Sequence, residues 1–194
     1  MPRNQIRMTV YASLMAALTA AGAYIVIPIG PVPIVLQNFF VLLTGLLLGW
    51  RWGTASVALY LFAGLIGLPV FAGGTGGLGR FVGPTGGYLI GYLPAVFLIG
   101  LISELLHRRW WADLIAMILG SAIVYLLGVS WLKLATGMSF AKTLSVGLYP
   151  FIIGDLVKIV VALPVAKALR PIVDGIGYKL TISSSNKDKN ETPD

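Results

Sequence analysis

The sequence contains no cysteine and a single histidine, His107. Without cysteine, disulfide bonds, thiol catalysis and cysteine-ligated metals are excluded. One histidine cannot form a poly-histidine metal site, so we expect neither a metal nor a cofactor. His107 is followed by Arg108 and Arg109 at the end of a hydrophobic run, where a solvated helix terminus is the expected position.

Motifs of common enzyme classes are also absent. The run Gly73-Gly74-Thr75-Gly76-Gly77 is not followed by the Lys-Ser or Lys-Thr of a P-loop. The sequence has no HExxH motif, no nucleophile elbow and no pair of neighbouring carboxylates suited to acid–base work. We therefore expect a protein that is not an enzyme and cannot itself hydrolyse ATP. Any uphill transport would need energy from a partner.

Charged residues are scarce, at 11% of the 194 residues, compared with about 25% in soluble domains. Hydrophobic residues make up 57%, and the mean hydropathy is +0.89. A soluble fold of this size cannot bury so much apolar surface, so the composition indicates an integral membrane protein surrounded by lipid. The net charge of +7 is not arranged as a basic stripe interleaved with aromatics, so we expect no nucleic-acid partner.

The hydrophobic runs predict an all-α membrane protein with six transmembrane helices and a Gly-rich outer loop between helices 3 and 4. A span needs about 20 apolar residues, so the second and third helices are short. Residues 1–182 form the predicted membrane domain, and residues 183–194 a disordered polar cytoplasmic tail. The predicted helices are Thr9–Ile27, Ile34–Leu48, Thr54–Ile66, Gly87–Leu106, Ala112–Leu134 and Pro150–Leu169.

The distribution of basic residues predicts the orientation. With a cytoplasmic N-terminus, six alternating spans place ten of the 14 Lys and Arg residues inside. The reverse orientation would invert this bias, which the positive-inside rule opposes. We therefore predict that both termini are cytoplasmic and that the Gly-rich loop is outside. The other four basic residues lie outside or within the membrane: Arg80, Lys133, Lys142 and Lys158.

The Gly-rich loop is the most unusual segment, since nine of the 24 residues from Leu68 to Gly91 are glycine. Irregular backbone at membrane depth is tolerated only where protein or a water-filled cavity surrounds it. Glycine also allows a ligand to approach the backbone closely. The loop is therefore a predicted ligand cradle, with Gly73, Gly74, Thr75 and Gly77 as candidate contacts. A merely flexible connection between two helices is the alternative.

Asp155 and Lys158 stand three residues apart within the last hydrophobic run, on one face of the predicted helix. Ionisable residues inside a membrane segment are costly and by default mark a functional site. A carboxylate and an ammonium together offer an acceptor and donors, which suit an amide or ureido group. The alternative is a structural ion pair in which each residue neutralises the other.

Further candidates flank the same predicted outer end. Arg80 could bind a ligand carboxylate bidentately, or it could be an exposed loop charge that helps to fix topology. Tyr88 could stack on a ligand or hydrogen-bond to it, whereas Tyr92 is expected in the interfacial aromatic belt. Gln37, like its neighbour Asn38, could face the cavity or cap a helix.

The first predicted helix carries small residues at a spacing of four: Ala12, Ala16 and Ala20. Such stripes allow close helix–helix approach in lipid. The stripe could serve as a groove for a helix of a partner protein. Packing within the same chain is the alternative.

These motifs together resemble the BioY-type biotin-binding S components of energy-coupling factor (ECF) transporters. The resemblance rests on GLPVFAGGTGGLGRFVGPTGGYLIGY (Gly67 to Tyr92), PFIIGDLVK (Pro150 to Lys158) and the Ala-rich first helix. It extends from about Arg7 to Leu169.

The resemblance implies a six-helix protein of the bacterial plasma membrane that captures biotin at its outer face. A transmembrane coupling protein and two ATP-binding-cassette ATPases would be its partners. By the same resemblance, Asp155 and Lys158 contact the ureido ring, residues 73–80 close over the ligand, and the alanine stripe docks on the coupling protein. Alternatives are an S component for another small vitamin, a self-sufficient secondary transporter of a small carboxylate and a membrane enzyme.

Overall fold

A computed structural model describes residues 3–28 and 31–189, and these are mostly helical. The expected helical membrane architecture is confirmed, with one two-stranded ribbon added. Residues 183–189 fall at the end of the last helix, and residues 190–194 lie outside the described residues, so the disorder of the tail stays a prediction. The elements are α1 (Arg3–Gly22), β1 (Val26–Ile27), β2 (Ile34–Val35), α2 (Gln37–Leu65), α3 (Gly79–Val82), α4 (Gly86–Leu105), α5 (Trp110–Thr136), α6 (Phe140–Gly147) and α7 (Tyr149–Lys189).

The end of the first helix was predicted incorrectly. α1 ends at Gly22, and the last residues assigned to it by sequence instead form β1, which pairs antiparallel with β2. The pairs are Val26 with Val35 and Ile27 with Ile34. β-Branched residues favour extended backbone, and the nearby prolines oppose helix. The same ribbon delays the second helix, which begins at Gln37 and not at Ile34.

α2 consists of two helical segments, residues 37–48 and 50–65, separated by Gly49. Gly49 has φ 72° and ψ −174°, a conformation that glycine adopts readily and other residues rarely do. A Cβ placed on Gly53 would lie 3.4 Å from the Cα of Gly45, whereas residues eight apart in a continuous helix are separated by about 12 Å. The chain therefore reverses direction at Gly49, at the break predicted between the second and third helices.

Four helical stretches within the described residues are long and apolar enough to cross a membrane: Gln37–Leu65, Gly86–Leu105, Trp110–Thr136 and Phe140–Asp174. The last of these includes α6, which the sequence did not predict, and much of α7. α7 continues beyond the predicted end at Leu169 and contains Pro164 and Pro171. The membrane character is thus clear, while the expected number of six separate crossings stays a prediction.

The main apolar cluster lies between α1, α2, α4, α5 and α7, with Leu46, Ile99, Met117 and Ala162 among its buried members. Beside this cluster, Arg170 of α7 donates to both carboxylate oxygens of Asp113 on α5, at 2.7 and 2.9 Å. The guanidinium also donates to the Leu46 carbonyl oxygen and to Ser103 Oγ. One buried ion pair therefore ties together α2, α4, α5 and α7.

Candidate functional site

A cavity of about 70 Å³ lies at the end of the bundle where α2, α4 and α7 begin. Aromatic and aliphatic side chains form most of its wall, with a few polar groups among them. Its lining consists of Val32, Pro33, Val35, Gln37, Asn38, Phe71, Ala72, Arg80, Thr85, Tyr88, Leu89, Tyr92, Val124, Tyr125, Phe151, Asp155 and Lys158. The cavity thus brings together five predicted site residues: Gln37, Arg80, Tyr88, Asp155 and Lys158.

Asp155 and Lys158 form an ion pair at 2.9 Å, as their spacing along α7 allows. Both side chains are largely buried, with exposures of 8% for Asp155 and 11% for Lys158. Asn38 joins them: its Nδ2 donates to Asp155 Oδ1 at 2.7 Å, and its Oδ1 accepts from Lys158 Nζ at 2.6 Å. Lys158 also donates to the Val35 carbonyl oxygen at 2.9 Å. The ammonium therefore uses all three of its donors within the protein.

Tyr125 completes the cluster from α5 by donating its hydroxyl to Asp155 Oδ2. The sequence analysis did not single out this residue. The available signal was a phenol in the middle of the apolar run AIVYLLG, because a buried tyrosine hydroxyl usually finds a partner. Asn38 was named only as a neighbour of Gln37, and its bonds to both charged residues could not be seen without the fold.

Gln37 and Arg80 supply polar groups that are not paired within the described residues. Gln37 is 1% exposed, and its buried Nε2 has no hydrogen-bond partner there. A buried donor without a partner carries a desolvation cost of about 1–3 kcal/mol. The half-buried Arg80 lines the same cavity from α3, and no ion pair to it is found in the described part of the chain. Both side chains can therefore donate to a ligand's acceptor atoms without giving up a hydrogen bond found in the described residues.

Both tyrosines of α4 line the cavity, and Tyr92 departs from its expected role. Tyr92 is 5% exposed and lines the cavity, so its assignment to the interfacial belt was wrong. Tyr88 also lines the cavity, but its hydroxyl donates to the Gly147 carbonyl oxygen at 2.7 Å. The ring of Tyr88 is available to a ligand while its hydroxyl holds α4 against α6.

Comparison with known proteins agrees with this architecture. The profile of the BioY family matches residues 1–175. The chain belongs to the BioY family. The biotin transporter BioY of Thermotoga maritima is 43% identical over 167 residues, covering 86% of this chain and 98% of that protein. The biotin transporter BioY of Rhodobacter capsulatus is 44% identical over 184 residues, covering 87% and 94%.

A comparison with solved structures supports the same family assignment. The S-component for biotin from an ECF-type ABC transporter matches with a TM-score of 0.82 and 37% identity, covering 88% of this chain and 94% of that chain. The predicted resemblance to the BioY family is therefore confirmed, and with it the class of membrane transport proteins.

In this BioY-family chain the Gly-rich loop is tightly folded. Gly73, Gly74 and Gly77 have φ of 71°, 72° and 90°, which explains the glycines at these positions. Their amides bond within the protein, Gly73 to the Ala23 carbonyl and Gly77 to the Gly64 carbonyl. Gly73, Gly74, Thr75 and Gly77 are not among the cavity-lining residues, whereas Phe71 and Ala72 are. The four predicted contacts therefore lie outside the lining of this cavity, and their role in binding stays a prediction.

The alanine stripe of α1 faces inward. Ala12 and Ala16 are 5% and 7% exposed, Ala20 is half-buried, and Ser56 Oγ of α2 donates to the Ala12 carbonyl oxygen at 2.6 Å. These positions favour packing within the chain, the alternative left open by the sequence. A second row of small residues at the same spacing lies on the exposed face of α1: Thr9, Ser13, Ala17 and Ala21.

Proposed function

We propose that this chain is the biotin-capturing subunit of an ECF-type vitamin uptake transporter in the bacterial plasma membrane. The observation that carries the proposal is the buried cluster of Asn38, Asp155 and Lys158 at a cavity of a BioY-family protein. Relatives are named as biotin transporters, and this supports a role in transport and not in catalysis.

The chemistry of the cluster suits the ureido ring of biotin, which presents two N–H donors and one carbonyl acceptor. Asp155 supplies carboxylate oxygens for the N–H groups, and Lys158 supplies a donor for the carbonyl. Because Lys158 already donates to three protein oxygens, it would have to exchange one of them for the ligand. The adjacent Gln37 adds a buried donor without a partner in the described residues.

We assign the valerate carboxylate of biotin to Arg80. A guanidinium binds a carboxylate bidentately, and Arg80 lines the cavity from a different segment than Asp155 and Lys158. The opposite polar ends of biotin would then contact different parts of the wall, with Tyr88, Tyr92 and Phe151 available to its apolar atoms.

The cavity must enlarge to accept such a ligand. Its volume of about 70 Å³ is well below the ~300–1,000 Å³ typical of ligand pockets. The Gly-rich loop contributes Phe71 and Ala72 to the wall, so movement of this loop would open the site. Gly73, Gly74, Thr75 and Gly77 would act as the backbone that permits this movement and closes the loop over the ligand.

We propose six membrane crossings: α1, the two segments of α2, α4, α5 and α7. Under the positive-inside rule this path places both termini in the cytoplasm and the cavity at the outer face. A cavity at this end is accessible to a vitamin arriving from outside the cell.

The partners in this proposal are a transmembrane coupling protein and two ATP-binding-cassette ATPases. The exposed row Thr9, Ser13, Ala17 and Ala21 is our docking face for the coupling protein, because small residues allow two helices to approach closely in lipid. The buried positions Ala12 and Ala16 would support that face from within, and Ala20 lies at its edge.

Calorimetric titration of the detergent-purified chain with a panel of vitamins tests the proposal. We expect tight binding of biotin and none of thiamine, riboflavin or folate. Binding of another vitamin in place of biotin would indicate an S component of different specificity. Substrate flux in vesicles lacking ATP and partners would indicate a self-sufficient secondary transporter, and chemical turnover of the ligand an enzyme.

A further inference from the structure

Three structural segments supply hydrogen bonds to the Asp155 carboxylate, and they divide unequally between its two oxygens. Oδ1 accepts from Asn38 of α2 and from Lys158 of α7 itself. Oδ2 accepts from the Tyr125 hydroxyl of α5. In the described structure, Tyr125 is thus the side chain that fixes the second oxygen, and with it the rotation of the carboxylate about its Cβ–Cγ bond.

Tyr125 also stands where two spaces meet. One is the cavity of about 70 Å³ whose lining includes Lys158 and Arg80. The other is a larger, mainly apolar crevice of about 490 Å³ between α5, α6 and α7. Tyr125 and Asp155 line both spaces, so their contact forms part of the wall between them.

The crevice explains why this hydrogen bond matters. The crevice lining is mostly aliphatic, with Leu126, Ile152 and Leu156 among its members. Its two serines, Ser121 and Ser130, make no hydrogen bond to Asp155 in the described structure. A carboxylate in a membrane segment is stable only when its oxygens are paired. Without the phenol, Oδ2 would face an apolar space, and the carboxylate would be free to rotate away from the geometry that serves the cavity.

We propose that Tyr125 is a positioning residue for ligand binding: it holds Asp155 in the orientation that accepts the N–H groups of a cyclic urea. The inference rests on the proposed function, since it assumes a ligand whose donors bind Asp155. Tyr125 acts through Asp155 and not through its own contact with the ligand.

Two other roles for Tyr125 give different results. If the hydroxyl competed with the ligand for Oδ2, its removal would tighten binding. If Tyr125 only stabilised the bundle, its removal would lower the unfolding temperature without a selective loss of affinity.

A double-mutant cycle on the full chain separates these roles. Biotin affinity is measured by competition with radiolabelled biotin for the wild type, Tyr125→Phe, Asp155→Asn and the double variant. We expect Tyr125→Phe to weaken binding about 10- to 100-fold, the size of a hydrogen bond to a charged group. In the Asp155→Asn background the same change should cost no more than about twofold, because additivity fails for residues that act through one another. Tyr149→Phe, an exposed tyrosine at the start of α7, is the matched control and should change neither affinity nor unfolding temperature.

A ligand-based cycle covers the case in which Asp155→Asn binds too weakly to measure. Biotin is compared with an analogue methylated at the ureido nitrogens, and Tyr125→Phe should weaken biotin more than it weakens the analogue. Equal losses for the two ligands, an unchanged affinity or a tighter one would overturn the positioning role. If the wild-type chain does not bind biotin, the proposed function is contradicted and not the positioning role. The double-mutant cycle is then run with the vitamin that the calorimetric panel identifies.

Discussion

Lys158 Nζ lies 2.6 Å from Asn38 Oδ1, across the interface between α7 and the first segment of α2. The two residues are far apart in sequence, and each also binds Asp155 Oδ1, so the three form a closed triangle of hydrogen bonds. Such a triangle satisfies a buried charge with groups of the protein itself. It also positions an acceptor and several donors beside one cavity.

Asp155→Asn and Lys158→Met should each weaken biotin binding about 30-fold or more while leaving a folded protein. Removing one partner of a desolvated charged contact costs about 2–5 kcal/mol. Titration calorimetry on the purified variants measures the loss. Lys142→Met, which removes an exposed lysine of α6, is the control and should bind as the wild type does. Wild-type affinity in both site variants would leave the pair with a structural role only.

Arg80→Ala should weaken biotin more than it weakens biotin amide, because only the acid offers a carboxylate to the guanidinium. A change in the loop should weaken both ligands equally, so the difference between the two losses of affinity measures the contact between the guanidinium and the carboxylate. Arg51→Ala, at an exposed arginine next to the chain reversal, is the matched control. Equal losses for acid and amide would remove Arg80 from the carboxylate site.

Amides between Ala72 and Tyr88 should gain protection from hydrogen exchange when biotin binds, because the loop must open and then close again over the ligand. Gly77→Val should weaken binding, since φ of 90° is strained for a β-branched residue although nothing lies within 4 Å of the added Cβ. Gly79→Val is the control, because this position is equally open and has no left-handed φ. The same protection with and without biotin would falsify the closing loop.

Ala17→Trp should leave biotin binding intact and abolish both complex formation and ATP-driven uptake. The bulky ring would stand on the exposed face of α1 and block the approach of a partner helix. Ala16→Trp is the matched comparison. Because Ala16 is 7% exposed, the main effect of this substitution should be a lower unfolding temperature. Co-purification with the coupling protein and ATPases tests both variants. A stable complex with Ala17→Trp would show that docking uses another surface.

Arg170→Leu or Asp113→Asn should destabilise the protein strongly, by about 3–5 kcal/mol, because each leaves an uncompensated buried charge. The double substitution Arg170→Leu with Asp113→Leu should cost less than the sum of the corresponding single changes. Thermal unfolding in detergent gives the comparison. Arg108→Leu is the control, since its ion pair with the 53% exposed Asp174 is expected to contribute at most about 1 kcal/mol. Equal shifts for Arg108 and Arg170 would contradict the importance of the buried pair.

Much of the architecture could be predicted because apolar runs carry most of the information in a membrane protein. The helices containing Gly87–Leu106 and Ala112–Leu134 were placed to within two residues at each end, and the break near Gly49 was anticipated from two short runs. The β ribbon was missed because Val26 and Ile27 are as hydrophobic as any helical residue. Hydropathy does not distinguish a short strand from the last turn of a helix.

The candidate site could be predicted where it depends on charge, but not where it depends on pairing across helices. Asp155 and Lys158, which the structure brings to the cavity, could be singled out because ionisable residues in an apolar helix are conspicuous. Tyr125 and Asn38 make their contacts with residues distant in sequence, which no local pattern indicates. Asp113 was overlooked for the same reason, and Arg170 was expected only as a cytoplasmic charge. On α1, spacing identified a row of alanines but could not tell which face turns inward, and that depends on where α2 packs.

Hydrogen bonds join α7 to the first segment of α2 and to the residues just before it at two positions along the helices. Lys158 binds Asn38 and the Val35 carbonyl near one end, and Arg170 binds the Leu46 carbonyl near the other. Arg170 stands twelve positions after Lys158, which corresponds to about 18 Å along the helix, so the two contacts lie well apart along α7. A pair of helices held at both ends resists splaying and rotation about either contact. We therefore expect the motion that admits a ligand to occur in the loop and the ribbon, and any larger displacement to move these two helices together.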